Sequence, residues 1–242
     1  MASLTNLDPA TLKRRSFIYR KLAAAGAEFA EVNGGAVAMR YPARSENEAM
    51  AARRMALADL SVLAHGGFKG RGTVEWLTAQ GLTIGADSNK AYAQADGELA
   101  ARLAPTEIFL LDSLQGTGRL INALNNAWQW AASAPRPQQG YPTPRQDSHA
   151  WFMVTGEKSA EMFAKICGVD LRPRHCAVGT IAQTSAAKMS ATIIRADLGT
   201  TLAYHLLADI ASAEYLWTCV EDAMAEYDGA VVGLAALRTL QS

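Results

Sequence analysis

The chain has 242 residues; half are hydrophobic and 19% are charged, with 23 basic and 23 acidic side chains. This length permits one large or two small domains, and the composition is that of an ordinary globular protein. The formal net charge of zero excludes a strong overall attraction to nucleic acid or to an anionic membrane.

The amino terminus carries no apolar segment of the secretory type, and no stretch approaches the roughly 18 apolar residues of a membrane span. The richest apolar candidate, Leu202 to Ala213, is interrupted by His205 and Asp209. We therefore expect a soluble, cytoplasmic protein with no nucleic-acid partner and no membrane partner.

The three cysteines, Cys167, Cys176 and Cys219, form no CxxC pair and are odd in number. We interpret them as buried reduced thiols, as in cytoplasmic proteins. A zinc site built on Cys167, His175 and Cys176 is the alternative. It lacks a fourth ligand at a recognised spacing, so we expect no metal.

The first part of the chain begins with an amphipathic pattern over residues 11–25, which predicts a helix with a basic outer face. The apolar run Ala36–Tyr41 predicts a strand that Pro42 closes. Ser45 and Glu48 form a capping box for a helix that extends to about residue 57.

The next segment, which begins at Asp59, has an extended pattern that several glycines weaken. Thr73 is a predicted cap for a short helix, and Ile108–Leu111 predicts a buried strand. A further helix is expected to begin after Gly118 and to end near Ala132.

The segment Ser133–Ser148 contains four prolines and almost no aliphatic residues. It predicts a linker or loop. We therefore divide the chain into a first lobe over residues 1–133, a linker over 134–148 and a second lobe over 149–242. A single intertwined domain is the alternative.

The second half repeats the first in outline. Its predicted elements are a strand at Trp151–Val154, a helix at Glu157–Ile166, strands at Ala191–Arg195 and Leu202–Leu207, and helices at Ser212–Tyr227 and Val231–Leu240. Strands and helices that mix in this way through short connections indicate an α+β fold.

Direct signals of chemistry are weak. The glycine cluster at residues 66–72 fits no phosphate-binding template; it predicts a glycine-rich hairpin or exposed loop, with an anion site of Lys69 and Arg71 as the alternative. We expect His205 to be a hydrogen-bonded sheet residue. His149 and His175 have no orienting carboxylate at a readable spacing, so we predict no catalytic residue.

The order of several blocks resembles the aminomethyltransferase (glycine-cleavage T-protein) family, over about residues 12–240. These blocks are residues 25–29 (AGAEF), 33–35 (NGG), 39–41 (MRY), 56–61 (ALADLS), 154–160 (VTGEKSA) and 232–240 (VGLAALRTL). The resemblance implies two similar α/β lobes of the T-protein-like, folate-binding fold, without the family's small carboxyl-terminal β-barrel.

The departures from the family pattern affect its charged and polar groups. The stretch 97–103 has no counterpart of the family's catalytic aspartate pair. Leu114 stands in place of an Asn near the folate, and the block 194–204 lacks a folate-contacting Glu. Leu237 occupies the place of an Arg, and Arg238 follows one position late. Aliphatic side chains cannot replace such groups.

A T-protein-like chain without these groups resembles the gamma subunit of bacterial-type heterotetrameric sarcosine oxidase, as do Ala182–Thr184 and Tyr215–Trp217. This resemblance implies a non-catalytic subunit of an oxidoreductase complex that demethylates an N-methyl amine. Larger partner subunits would carry the flavin, and this chain would bind no cofactor by itself.

Two other hypotheses remain open. The first is a stand-alone folate-binding protein or one-carbon transferase, in which tetrahydrofolate would bind between the lobes; Arg195, Tyr204, Lys69 and Arg102 are the candidate cofactor-binding residues. The second is an interaction or regulatory protein that keeps only the fold, since a fold does not determine function.

Overall fold

The computed structural model describes residues 6–43, 47–129 and 136–241. Up to residue 127 the elements are β1 (Arg14–Arg15), α1 (Tyr19–Ala24), β2 (Glu28–Val32), β3 (Gly35–Arg40), α2 (Glu48–Arg54), β4 (Ala56–Asp59), β5 (His65–Gly70), α3 (Thr73–Ala79), β6 (Lys90–Ala93), β7 (Leu99–Ala104), β8 (Glu107–Leu111) and α4 (Arg119–Ala127). Short 3-10 turns lie at Pro9–Thr11 and Ile210–Ser212.

The remaining elements include the strands and helices expected in the second half and add three more strands. They are β9 (Gly140–Pro142), β10 (His149–Thr155), α5 (Ser159–Ile166), β11 (Ile181–Ala186), β12 (Met189–Arg195), β13 (Ala203–Asp209), α6 (Ala213–Ala225), β14 (Ala230–Val231) and α7 (Leu234–Thr239). The prediction of a chain that mixes helices and sheets is confirmed.

The strands form three sheets. A six-stranded sheet has the order β11-β12-β13-β10-β4-β14, a five-stranded sheet has the order β6-β7-β8-β5-β9, and a three-stranded sheet has the order β1-β3-β2. Strand β4 therefore lies between two strands that come from beyond the Pro-rich segment. β4 is antiparallel to β10 and parallel to β14.

Three buried clusters define the layers. One face of the six-stranded sheet packs on helices α1, α5 and α6. Its other face packs on the five-stranded sheet, with α2 and α7 contributing to the same cluster. The far face of the five-stranded sheet packs on α3 and α4. Side chains of one strand alternate between two faces, so Tyr204 and Leu206 belong to the first cluster, whereas Ala203 and Leu207 belong to the second.

The prediction of a long amino-terminal helix over residues 11–25 is wrong. Only Tyr19–Ala24 is helical, and Arg14–Arg15 instead pairs with Gly35 and Ala36 of β3. The pairing depends on a glycine: a Cβ added at Gly35 would lie 2.3 Å from Val62 Cγ1 and 3.0 Å from Arg14 Nε. A contact distant in sequence overrides the local helix pattern here.

The second helix begins later than expected. Its cap is Asn47, whose Oδ1 accepts a hydrogen bond from Ala49 N at 2.9 Å; Ser45 lies outside the described residues. Glu48 accepts hydrogen bonds from Tyr41 N at 2.8 Å and from Gly233 N at 2.7 Å. Its carboxylate therefore links the segment after β3 to the start of α7. The helix ends at Arg54, because residues from Ala56 pair in the six-stranded sheet.

Most of the glycine cluster is strand and not an exposed loop. Residues 66–70 belong to β5, whose residues 65–68 are buried and which pairs with β8 and β9. Arg71, which is exposed, and Gly72 form the turn before α3. Gly70 has a φ of +113°, and a Cβ there would lie 2.0 Å from Gln139 O. Thr73 is the first residue of α3 and not its cap; the cap is Gly72.

The Pro-rich segment is partly ordered into the sheet, since Gly140–Pro142 forms β9 on the edge of β5. Helix α4 ends at Ala127, earlier than expected. Residues 130–135 lie outside the described part. Strands β2, β6, β7 and β11 were not expected from the sequence pattern.

The described residues contain no helix that is long and apolar enough to cross a membrane. All three cysteines are free, and Cys167 and Cys176 are buried. Within the described ranges no group of three or more His, Cys, Asp or Glu side chains is arranged to hold a metal ion.

The prediction for His205 as a hydrogen-bonded sheet residue is confirmed, because its Nδ1 accepts a hydrogen bond from Trp151 Nε1 at 2.9 Å. This bond requires an unprotonated Nδ1. Burial lowers the pKa of His205 to about 3, because the charged imidazolium loses its hydration.

The lowered pKa of His205 predicts that the stability of the protein depends on pH. Between the unfolded pKa near 6.5 and the folded pKa of about 3, the unfolded chain binds more protons, so stability rises with pH and falls on acidification. We expect His205→Gln to reduce the slope of unfolding free energy between pH 6 and 5 by about 1 kcal/mol per pH unit. Urea unfolding at several pH values measures the slope of the unfolding free energy against pH.

The matched control is His175→Gln, which removes an exposed histidine whose Nε2 lies 3.6 Å from Asp170. This control should leave the slope close to that of the wild type. An equal slope in the wild type and His205→Gln would contradict the assignment.

Candidate functional site

The positions at which the sequence departs from the T-protein pattern converge in the core between the two larger sheets. Ala101 on β7, Leu114 after β8 and Leu237 on α7 belong to the same apolar cluster. Their exposed fractions are 0%, 3% and 0%. The two places where the resemblance expects an amide and a guanidinium, Leu114 and Leu237, are therefore filled by packed aliphatic groups. The stretch 97–103, which lacks the aspartate pair, contributes Ala101 to this cluster and keeps one buried acid, Glu98, which is 4% exposed.

Arg238, the basic residue one place late, serves a different purpose. Its Nε donates to Leu114 O at 2.9 Å and its Nη2 donates to Gln115 O at 3.1 Å. Burial lowers the pKa of this guanidinium. The side chain therefore ties α7 to the loop after β8, with backbone carbonyls as its acceptors.

Two of the candidate cofactor residues, Arg195 and Tyr204, are directly opposite each other on β12 and β13. Arg195 forms a two-point ion pair with Asp197, at 3.0 Å and 2.7 Å, and Nη1 donates to Cys176 O at 2.6 Å. Tyr204 is fully buried, its hydroxyl donates to Leu171 O, and burial raises its pKa. Both side chains thus use their polar atoms within the protein.

The other two candidates lie on the five-stranded sheet. Lys69 Nζ pairs with Glu107 Oε2 at 2.7 Å, and this contact raises the pKa of Lys69. Arg102 Nη1 donates to Gly85 O at 2.5 Å and its Nη2 to Pro105 O at 2.9 Å. The structure therefore brings Arg195 and Tyr204 together and places Lys69 and Arg102 elsewhere.

A groove with a volume of about 660 Å³ lies on the part of the six-stranded sheet formed by β11, β12 and β13. Its polar lining consists of His149, Gln183, Thr184, Ser185, Ser190, Thr192 and Asp209. Gln183 Nε2 donates to Asn89 Oδ1 at 2.7 Å and to Leu103 O at 2.8 Å, which connects the groove to the five-stranded sheet.

His149, for which the sequence predicted no catalytic role, is the first residue of β10 and lines this groove. Burial and the neighbouring Arg145 lower its pKa to about 4, so the imidazole is neutral at pH 7. Its Nδ1 lies 2.8 Å from Ser148 Oγ, and its register partner is Asp209. Asp209 Oδ1 instead accepts from Ala211 N at 2.8 Å. The groove therefore offers hydrogen-bonding groups, but the carboxylate of Asp209, which lies beside His149, is used to cap a turn.

The filled core predicts that restoring the family residue is costly. We expect Leu237→Arg to destabilise the protein by about 3 kcal/mol or more, because it places a charge without a partner among aliphatic groups. Urea unfolding checks this. Leu237→Met, which nearly conserves volume, should cost less than about 1.5 kcal/mol. Wild-type stability of Leu237→Arg would mean that the position can open to solvent.

A family model described as the GCVT N-terminal domain matches residues 18–242. A heterotetrameric sarcosine oxidase from Corynebacterium sp. U-96, in complex with pyrrole 2-carboxylate, is 20% identical with a TM-score of 0.62, over 89% of this chain and 97% of that chain. A search of curated proteins found no match.

A second solved structure is the glycine cleavage system aminomethyltransferase T from Bartonella henselae. It is 17% identical with a TM-score of 0.71, and the match covers 94% of this chain and 61% of that chain. At these identities the two structures show a shared fold. Because the family model spans residues 18–242, the chain belongs to the GCVT N-terminal domain family.

Proposed function

We propose that this chain is a non-catalytic subunit of a sarcosine-oxidase-like complex. The complex would oxidatively demethylate an N-methyl amine, with one-carbon transfer to tetrahydrofolate. The observation that supports the proposal most directly is the aliphatic filling of the core between the sheets. Leu114 and Leu237 occupy, in one buried cluster, the places expected for an Asn and an Arg.

The physical reason is the cost of burying polar groups without partners. A reduced pterin presents several hydrogen-bond donors and acceptors along its edge. Each one that is buried against an aliphatic wall costs about 1–3 kcal/mol. The catalytic groups of the complex would therefore lie on other subunits, and this chain would contribute shape and contact surface.

The extent of the structural matches also supports this proposal. The match covers 97% of the sarcosine oxidase chain but 61% of the aminomethyltransferase chain. The partners under this proposal are larger, flavin-bearing subunits. Stable assemblies of this kind commonly bury about 2,000 Å² or more, and large apolar side chains such as Phe17, Met50 and Tyr215, each more than half exposed, are available for contacts.

The proposal predicts co-purification. The chain carrying an affinity tag, co-expressed with the proteins encoded beside it, should elute together with larger chains that have the visible absorbance of bound flavin. The tagged chain expressed alone should be colourless. If the flavin-bearing chains assemble and act at full rate without it, the accessory role is wrong.

The second candidate function is a stand-alone folate-binding protein or one-carbon transferase. The higher TM-score against the aminomethyltransferase, 0.71 compared with 0.62, and the adjacency of Arg195 and Tyr204 favour it. It requires Arg195 to leave Asp197, or Lys69 to leave Glu107, when the ligand binds.

Calorimetric titration with 5-formyl-tetrahydrofolate separates the two functions. We expect no saturable heat up to about 1 mM ligand, a limit that corresponds to a binding free energy weaker than about 4 kcal/mol. A known tetrahydrofolate-binding protein in the same cell serves as the positive control. Saturable binding that Arg195→Gln weakens, while Arg71→Gln does not, would support the second candidate instead.

A further inference from the structure

A second cleft, with a volume of about 440 Å³, lies between β5, helix α4 and the segment that follows β9. Its polar lining includes Arg14, His65, Asn122, Trp128, Thr143 and Arg145. It shares no lining residue with the groove on the six-stranded sheet. Ala101, Leu114 and Leu237 do not line it either, so it is separate from the filled core.

Four buried polar atoms around this cleft have no hydrogen-bond partner among the described residues. They are Arg14 Nε, Trp128 Nε1, Thr143 Oγ1 and Arg145 Nε. Buried donors in folded proteins are nearly always paired, so such a concentration in one place requires an explanation. Three of the four can only donate, and the fourth is a hydroxyl. Side chains that line the cleft therefore carry donors that the described residues leave without an acceptor.

Arg14 contributes the least compensated positive charge. Burial lowers the pKa of its guanidinium, and its attraction to Asp112 offsets only part of this effect. Asp112 itself accepts hydrogen bonds from Ser113 N at 3.0 Å and from Gly118 N at 2.8 Å. Within the described chain, no carboxylate lies close enough to Arg14 for an ion pair. The nearby acid is thus bound to the backbone, and the Arg14 guanidinium is left without an ion pair among the described residues.

Trp128 and Thr143 are held in place by their surroundings. The Trp128 ring packs 5.0 Å from Phe68 and 4.6 Å from Trp76, and only 8% of the residue is exposed. Thr143 N donates to Gly67 O at 2.8 Å. These contacts hold the Thr143 backbone and the Trp128 ring in place, while the indole N–H and the hydroxyl have no partner among the described residues.

Arg145 supplies the second guanidinium. Its Nη2 donates to Glu107 Oε1 at 2.7 Å, and its centre lies 5.4 Å from the Phe109 ring. Glu107 and Phe109 therefore set the orientation of the Arg145 side chain, and its Nε has no hydrogen-bond partner among the described residues. The apolar part of the cleft comes from Ala64, Ile121, Pro142 and Pro144.

We propose that this cleft binds a small organic carboxylate through Arg14, Trp128, Thr143 and Arg145. Planar guanidinium groups match a carboxylate in two-point geometry, and the aliphatic and proline surfaces suit the carbon body attached to it. Guanidinium donors suit a carboxylate and a phosphate alike, and the apolar lining of Ala64, Ile121 and the two prolines favours an anion that carries a carbon body. This assignment is independent of the proposed function.

The test is calorimetric titration of the full chain with succinate, acetate and inorganic phosphate at constant ionic strength. We expect saturable binding of succinate or acetate that exceeds that of phosphate. Arg14→Gln should weaken this binding about tenfold or more, the loss typical of one charge-assisted hydrogen bond. Trp128→Phe, which keeps the ring and removes the N–H, should weaken it several-fold.

The matched control is Arg71→Gln, which removes the same charge from an exposed position outside the cleft. It should bind as the wild type does. Circular dichroism verifies that each variant is folded, and Trp128→Phe carries the test if Arg14→Gln does not fold. The proposal is overturned if the wild type binds no carboxylate, if phosphate binds more tightly, or if Arg14→Gln and Arg71→Gln lose affinity equally.

Discussion

Backbone pairing of strand β4 with β10 and β14 is the interaction on which the rest of the structure depends. Every residue of Ala56–Asp59 is buried. The next residues extend the joint: Leu60 N donates to Trp151 O at 2.8 Å, and Trp151 N donates to Ser61 Oγ at 3.0 Å. The segments before and after the Pro-rich stretch therefore share one sheet and cannot separate without losing buried hydrogen bonds.

The pairing of β4 with β10 and β14 also explains how the apolar core between the two larger sheets is built. With β4 central, the six-stranded sheet presents one face to the five-stranded sheet, and α7 closes the side beside Leu114. A pocket at this place would need polar groups directed inward. Ala101 and Leu237 instead complete the apolar packing at this place.

Strong local patterns predicted much of the fold. The apolar runs of β3, β10 and β13 and the periodicity of α6 identified those elements correctly. Strand β7 was missed because its alanines resemble a helix, and β11 because its pattern is polar. The amino-terminal helix was wrong because the pairing of Arg14 depends on Gly35, a contact that local periodicity does not contain.

The candidate sites also differ in how far they could be predicted from the sequence. Leu114 and Leu237 could be singled out from the sequence, because a family pattern gives an expected residue at each place. The carboxylate cleft could not be predicted, since Arg14, Trp128 and Arg145 are distant in sequence and form no motif. Only the fold brings their unpaired donors together.

Glu48 and β4 both bind a segment that lies much later in the chain, and this affects how the protein folds during its synthesis. The Glu48 carboxylate holds both Tyr41 N and Gly233 N, and the outer edge of β4 pairs with Ala230–Val231. These partners lie far along the chain from β4, so during synthesis on the ribosome they emerge well after it. Until then the nascent chain exposes an unpaired apolar strand edge, a place where intermolecular pairing begins. The order of translation thus leaves the central sheet vulnerable to aggregation until its last strand arrives.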